Sequence, residues 1–346
     1  MKYKVDTEYM LEVFKEIVET HSPVGYYVEL NPVIEKLAKQ LGREVTYDNR
    51  STAYIILDGE DNSKTVLLGA HADTVGLMIH RIDSDGKIRV RALGGINYAT
   101  LDGETVIVHT RDGRDYTGLF MCQSHSTHVF EDASKLERNE NTMMVLLDEK
   151  VESDKDVRAL GIDNGDYVFI DPRCQITPNG YIKSRFIDDK GGIACAFAML
   201  KYLTENNLKP KYKTILAFPH CEEIGAGGAY IPEGVSEYVA VDIGLVGPGL
   251  NGTEHSVAIC SKDVIGPYDY ELTNRLIDYA KKAECDYVID VFFRYATDAS
   301  AALRSGNNIR HAAFGMPVYG SHGMERTHIS GFENTVNLML AYALDI

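Results

Sequence analysis

Acids and histidines gather at five places along this chain, and their combined donors suit divalent cations. The first is His71-x-Asp73. In a strand, residues two apart point to the same side, so Asp73 could accept the free ring N–H of His71 or steady its loop. A core histidine beside a solvated acid is the plainer alternative. The second is Asp188-Asp189-Lys190-Gly191-Gly192, at the start of a helical pattern. Adjacent acids there often only cap the helix and complement its dipole, but a carboxylate can also bridge two cations. The third, Glu222-Glu223-Ile224-Gly225, follows an apolar strand pattern. Paired glutamates can divide labour, one binding metal while the other moves the proton of a water. A solvated acid pair is the competing explanation, and the glycine-rich stretch behind it favours a tightly built site. Asp242 closes the run Tyr238-Val239-Ala240-Val241, where an aspartate is most often a turn former. The last is Ser321-His322-Gly323, with Glu325 and His328 close behind and His328 a rival to His322.

Together these places offer mixed nitrogen and oxygen donors, a bridging carboxylate and a spare glutamate. That is the inventory of a two-metal hydrolytic site.

The elements that must position these residues read as two textures. Met10, Leu11, Phe14 and Val18 recur at helical spacing over 7–20, with Asp6 or Thr7 as the cap. A Ser22-Pro23-Val24-Gly25 break precedes a second helical pattern through Val33, Ile34, Leu37 and Leu41. Strand patterns follow at 44–47, 53–57 and 65–68. From about 76 to 178 short β runs alternate with Asp-Gly turns at 85–86, 102–103 and 112–113. Beyond Arg185 the alternation of helix and strand resumes, with helices expected at about 191–206, 269–284 and 331–344. Strands are expected at 213–218, 238–241 and 257–259. The expectation is an α/β domain, residues 1–75 and 179–346, interrupted by an inserted all-β domain at 76–178. Open α/β sheets build sites at the carboxyl ends of their strands, where most of these clusters fall.

Composition narrows the function classes. The chain has 346 residues, 45% hydrophobic and 25% charged, so it can bury more than one core. Its net charge of −16 opposes nucleic acid and anionic membrane surfaces. Six scattered cysteines form no C-x-x-C pair, which fits neither a zinc knuckle nor a disulfide framework. The charged, amphipathic start is not patterned as a signal peptide, and no apolar run approaches the roughly 20 residues that span a bilayer. A reducing cytoplasm is the expected location.

The ordered set GAHADTVG (69–76), SRFIDDKGG (184–192), HCEEIGAGGA (220–229), VAVDIG (239–244), TDAS (297–300) and SHGMERTH (321–328) resembles the M42 family of metallo-aminopeptidases over nearly the whole chain. The resemblance is nearest to a bacterial subgroup with an SHG-x-ERTH ending. It implies a mixed-sheet dimetal catalytic domain that hydrolyses the N-terminal bond of short peptides. His71 and Asp242 would hold one metal, and Glu223 and His322 the other, with zinc or cobalt as the ions. Asp188 would bridge, Asp73 would stand behind His71, and Glu222 would be the general base. The resemblance also implies that the insertion shapes substrate access and that subunits assemble from dimers up to dodecamers. Two departures from the family pattern stand out. Ser321-His322-Gly323 replaces a usual Met-His-Ser, and Tyr295-Ala296-Thr297-Asp298 replaces a usual Gly-Gly-Thr-Asp. A related dimetal deacylase acting on a small N-acylated or amidated compound is the nearest alternative. A glycosidase would leave the histidines unexplained, and a metal-stabilised scaffold would leave Glu222 without a task.

Overall fold

The computed structural model describes residues 2–345. The α/β unit comprises Met1–Thr74, Cys174–Ser321 and Glu325–Ile346. Its sheet has eight strands in the spatial order Thr46–Tyr47, Ala53–Leu57, Tyr212–Phe218, Asp61–Gly69, Val235–Val241, Arg310–Gly315, Val257–Lys262 and Tyr287–Val291. The four central strands run parallel to one another, and antiparallel pairings lie to either side. The sheet is therefore mixed, as expected. Because Asp61–Gly69, Tyr212–Phe218 and Val235–Val241 are parallel neighbours, their carboxyl ends open on the same edge.

Buried strands of this kind need helices over their faces. The helix Ile187–Glu205 is apolar almost all round and packs against Thr7–Glu19 and Ile329–Leu344. Its small residues let neighbours approach closely: a Cβ on Gly192 would stand 2.5 Å from the carbonyl oxygen of Val241 and from Asp189 Oδ1. Phe197 stacks on Phe218 of the sheet at 5.8 Å between ring centroids, and Phe14 meets Phe332 edge-to-face at 5.4 Å. Burying such side chains contributes about 1.5–3 kcal/mol each. Asp6 caps the first helix by accepting the Tyr9 amide, and Asp269 caps Tyr270–Lys282 by accepting that of Leu272. A three-stranded sheet, Gln175–Ile176, Tyr181–Ser184 and Glu325–His328, pairs Ser184 with Glu325.

The second unit comprises Val75–Arg173 together with His322–Met324, residues that the sequence reading leaves in the α/β part. Six strands close into a barrel: Gly76–Ile82, Ile88–Leu93, Met143–Leu147, Asp115–Cys122, Glu104–His109 and Tyr167–Ile170. Alternation sends Ile88, Val90, Val106, Val108, Phe120 and Cys122 inward, and closure leaves no open sheet edge. The Asp-Gly turns place Gly86, Gly103 and Gly113 at positive φ, which glycine adopts without strain. Among the described residues, no helix is long and apolar enough to cross a membrane.

Candidate metal centre and catalytic loop

His71 follows the strand Asp61–Gly69 and is 3% exposed. Its ring Nδ1 lies 2.9 Å from the carbonyl oxygen of Asp73, so Nδ1–H donates there and Nε2 keeps its lone pair. Nε2 faces Asp188 Oδ1 at 3.0 Å and Glu222 Oε2 at 3.9 Å. A lone pair pointed at two carboxylates calls for a cation, either a proton or a metal. Burial alone would depress the imidazole, but Asp188, Glu222 and Asp242 outweigh it and hold His71 well above its ordinary value.

Asp188 and Asp189 stand where the helix has not yet begun. Their backbone angles are non-helical, and the peptide between them is cis. Glu325, 2% exposed, accepts the Asp188 amide at 3.0 Å, so the three-stranded sheet anchors this turn. Asp189 takes the backbone instead, accepting the amides of His71 (3.1 Å) and Gly192 (3.2 Å). Burial, then the Asp242 charge, raises Asp189 well above the usual carboxylate range.

Glu222 and Glu223 lie in a single 3-10 turn, Glu222–Ile224, beyond the strand Tyr212–Phe218. The Asp73 carboxylate grips that turn: Oδ1 accepts the Glu222 amide at 3.0 Å and Oδ2 the Glu223 amide at 3.2 Å. Of the two roles open to Asp73 in the sequence, the carbonyl thus serves the imidazole while the carboxylate holds the glutamate loop. Its Oδ1 is 3.7 Å from His71 Nδ1. Burial pushes Glu222 well above the usual range; His71 offsets part, while Asp298, Asp242 and Glu223 add to it. Asp242 ends the strand Val235–Val241, and one of its oxygens accepts the Ile243 amide. Burial and Asp188 push it up to about 7.

Two sets of donors lie within 4.8 Å of one another, His71 with Asp188 and Glu223, and His71 with Asp189 and Asp242. Nitrogen and carboxylate donors in this mixture, all buried except the half-buried Glu223, fit divalent cations. Burial holds Asp189 and Asp242 above the usual carboxylate range, and bound cations would lower them again.

His322 belongs to the second unit, with φ 61 and its carbonyl accepting the Asn97 amide at 3.2 Å. Both ring nitrogens of its rival are engaged. His328 Nε2 meets the Asn179 carbonyl at 3.0 Å, and Nδ1 caps the final helix by accepting the Ser330 amide at 3.0 Å.

Asp189 and Asp298 carry no assigned role in the sequence, although both lie in motifs that carry the resemblance. Asp189 is masked by its neighbour, since either acid of a pair could face the metals. Asp298, within the TDAS motif (297–300), is 4% exposed and lies at the start of the short helix Asp298–Arg304, which no helical periodicity marks.

The chain as a whole is similar to several known proteins. The profile described as M42 glutamyl aminopeptidase matches residues 52–338. A putative aminopeptidase of Bacillus subtilis, YhfE, is 39% identical over 333 residues, covering 96% of both chains. An aminopeptidase from the archaeon Desulfurococcus kamchatkensis superimposes with a TM-score of 0.88 at 22% identity, covering 98% of this chain and 96% of its own. The TET1 peptidase of Pyrococcus horikoshii, described as assembling into a tetrahedron or a large octahedral shell, gives 0.85 at 24% identity, covering 97% and 100%.

Proposed function

Because the chain belongs to the M42 family of aminopeptidases and is a peptide-bond hydrolase, we propose that it removes residues from the N-termini of short peptides at a two-metal centre with Glu222 as general base. The observation that carries this reading is the placement of Glu222. Its Oε2 lies 3.9 Å from the one imidazole nitrogen left to bind a cation, and its backbone is clamped by Asp73. A structural metal site has no use for such a spare carboxylate.

His71, Asp188, Asp242 and Glu223, each a member of a donor set, would hold the cations, and Asp188 keeps the bridging role that the family resemblance implies. Asp189 competes for one set while holding the His71 backbone. His322 keeps the ligand role that the family resemblance implies. When bound, the cations polarise the scissile carbonyl and acidify the attacking water. Zinc and cobalt suit the mixture of imidazole and carboxylate. Glu222 accepts the water's proton and delivers it to the leaving amine. Its high proton affinity in the bare site matches a group that must hold a proton between two transfers. Asp73 fixes the direction of Glu222 through the loop and the tautomer of His71 through its carbonyl.

The proposal extends to a homo-oligomer in the cytoplasm. The named assembly of the TET1 relative supports the first, and six free cysteines with no disulfide among the described residues support the second.

The test is a pair of dipeptides, one with a free amino end and one N-acetylated, offered to protein reconstituted with Zn²⁺ or Co²⁺. Cleavage of the free-amine form alone is expected. Preference for the acetylated form would overturn the aminopeptidase reading in favour of a deacylase.

A further inference from the structure

Asp298 is the acid near the metal ligands for which the resting site provides nothing. Its carboxylate is buried, and neither oxygen has a hydrogen-bond partner. The other acids are occupied: Asp73 holds the glutamate loop, Asp189 holds His71 and Gly192, and Asp242 accepts the Ile243 amide. None of the metal donor sets among the described residues includes Asp298. Yet it interacts electrostatically with His71, Asp73, Asp242 and Glu222, and Gly227, four residues beyond Glu223, lies against its carboxylate.

The surroundings hold this carboxylate in place. Both oxygens lie 2.5 Å from where a Cβ on Gly227 would stand, so only glycine lets the turn after Glu223 close over it. The segment that carries it is pinned from behind. Thr297 Oγ1 meets Tyr268 Oη at 2.9 Å, Tyr268 Oη donates to Asp263 at 3.0 Å, and Ser300 Oγ donates to the same oxygen. Burial pushes the carboxyl up to about 7, with His71 and the nearby Gly228 amide offsetting only part of that rise. A buried carboxylate without a partner is strongly unfavourable unless a cation arrives to pair with it.

We propose that Asp298 binds the α-ammonium group of the substrate. This rests on the aminopeptidase reading and deepens it. An ammonium carries three donors for the two unpartnered oxygens, and it lies a fixed two bonds from the first carbonyl carbon of a peptide. Pairing the ammonium with Asp298 sets which carbonyl reaches Glu222, and so restricts cleavage to the first bond.

The experiment compares two competitive inhibitors on the metal-reconstituted enzyme. One is the hydroxamate of the amino acid that the enzyme cleaves best. The other is its des-amino analogue, which keeps the side chain and the metal-binding head. In the unaltered enzyme the amino form should bind more tightly. In Asp298→Asn that advantage should shrink by on the order of 30-fold, with the des-amino form unaffected and metal content unchanged by elemental analysis. An undiminished amine preference in the variant would overturn the proposal. So would equal loss of both inhibitors, or loss of metal, since either would make Asp298 a structural or metal-binding group. If the unaltered enzyme shows no amine preference, the aminopeptidase reading itself fails.

Discussion

The Asp73 carboxylate accepts the backbone amides of Glu222 and Glu223 at 3.0 and 3.2 Å, tying the loop after one central strand to the loop after its neighbour. The same residue's carbonyl receives the His71 imidazole. One fully buried aspartate thus sets the position of the proposed base and the tautomer of a proposed ligand.

In Asp73→Asn, one acceptor becomes an NH₂ group facing an amide N–H. Leaving that buried donor unpaired costs about 1–3 kcal/mol, equivalent to about 5- to 150-fold if it falls on positioning in the transition state. A fall in kcat of that size is expected, with the His71–carbonyl bond intact. A variant with normal kcat would show that the loop is held by other contacts.

Glu222→Gln preserves shape and removes the base. Turnover should fall by on the order of 10² or more while elemental analysis shows the same metal content. Near-normal turnover would remove Glu222 from the mechanism.

Glu325→Ala deprives the buried Asp188 amide of its acceptor. The expected cost is about 1–3 kcal/mol in urea unfolding, accompanied by weaker metal retention, because the proposed bridging carboxylate loses its anchor. Unchanged unfolding and unchanged metal content would show that the turn is fixed without Glu325.

Removal of metal should make stability fall as pH rises. In the bare site Asp242 and Asp298 are pushed up to about 7 by burial, and Asp189 and Glu222 are raised in the same direction. The folded state therefore holds more protons than the unfolded chain between about pH 4 and 7, and it loses stability across that window. His71, also raised, acts with the same sign. Buried Lys190, depressed to about 7, gains stability with pH only above that value, up to its ordinary 10.5. Thermal melts of chelated protein should show a lower Tm at pH 7 than at pH 5, with added Zn²⁺ or Co²⁺ recovering most at the higher pH. A Tm independent of pH in the chelated protein would contradict the raised proton affinity of these buried acids.

Much of this was legible before folding. Periodicity marks the helices that appear as Thr7–Glu19, Tyr270–Lys282 and Ile329–Leu344, since burial of one face demands a repeat near 3.6. Asp-Gly pairs mark the hairpin turns, because positive φ has few candidates. The strands Asp115–Cys122, Met143–Leu147 and Arg310–Gly315 were harder, their apolar runs being short or interrupted by polar residues. The acids and histidines at strand ends were visible as residue types.

What each acid does was not. Asp188 and Asp189 are adjacent and alike in sequence, yet one faces the His71 ring and the other the His71 backbone. Asp73 could have oriented an imidazole or steadied a loop, and only the parallel pairing of two strands delivers the Glu222 amide to its carboxylate. Asp298 is 76 residues beyond Glu222 in the chain, and no local pattern says that the Gly227 turn will close over it. Residue type and periodicity are local and survive in the sequence. Partnership between charged groups depends on which strand ends meet, and that is decided only when the sheet assembles.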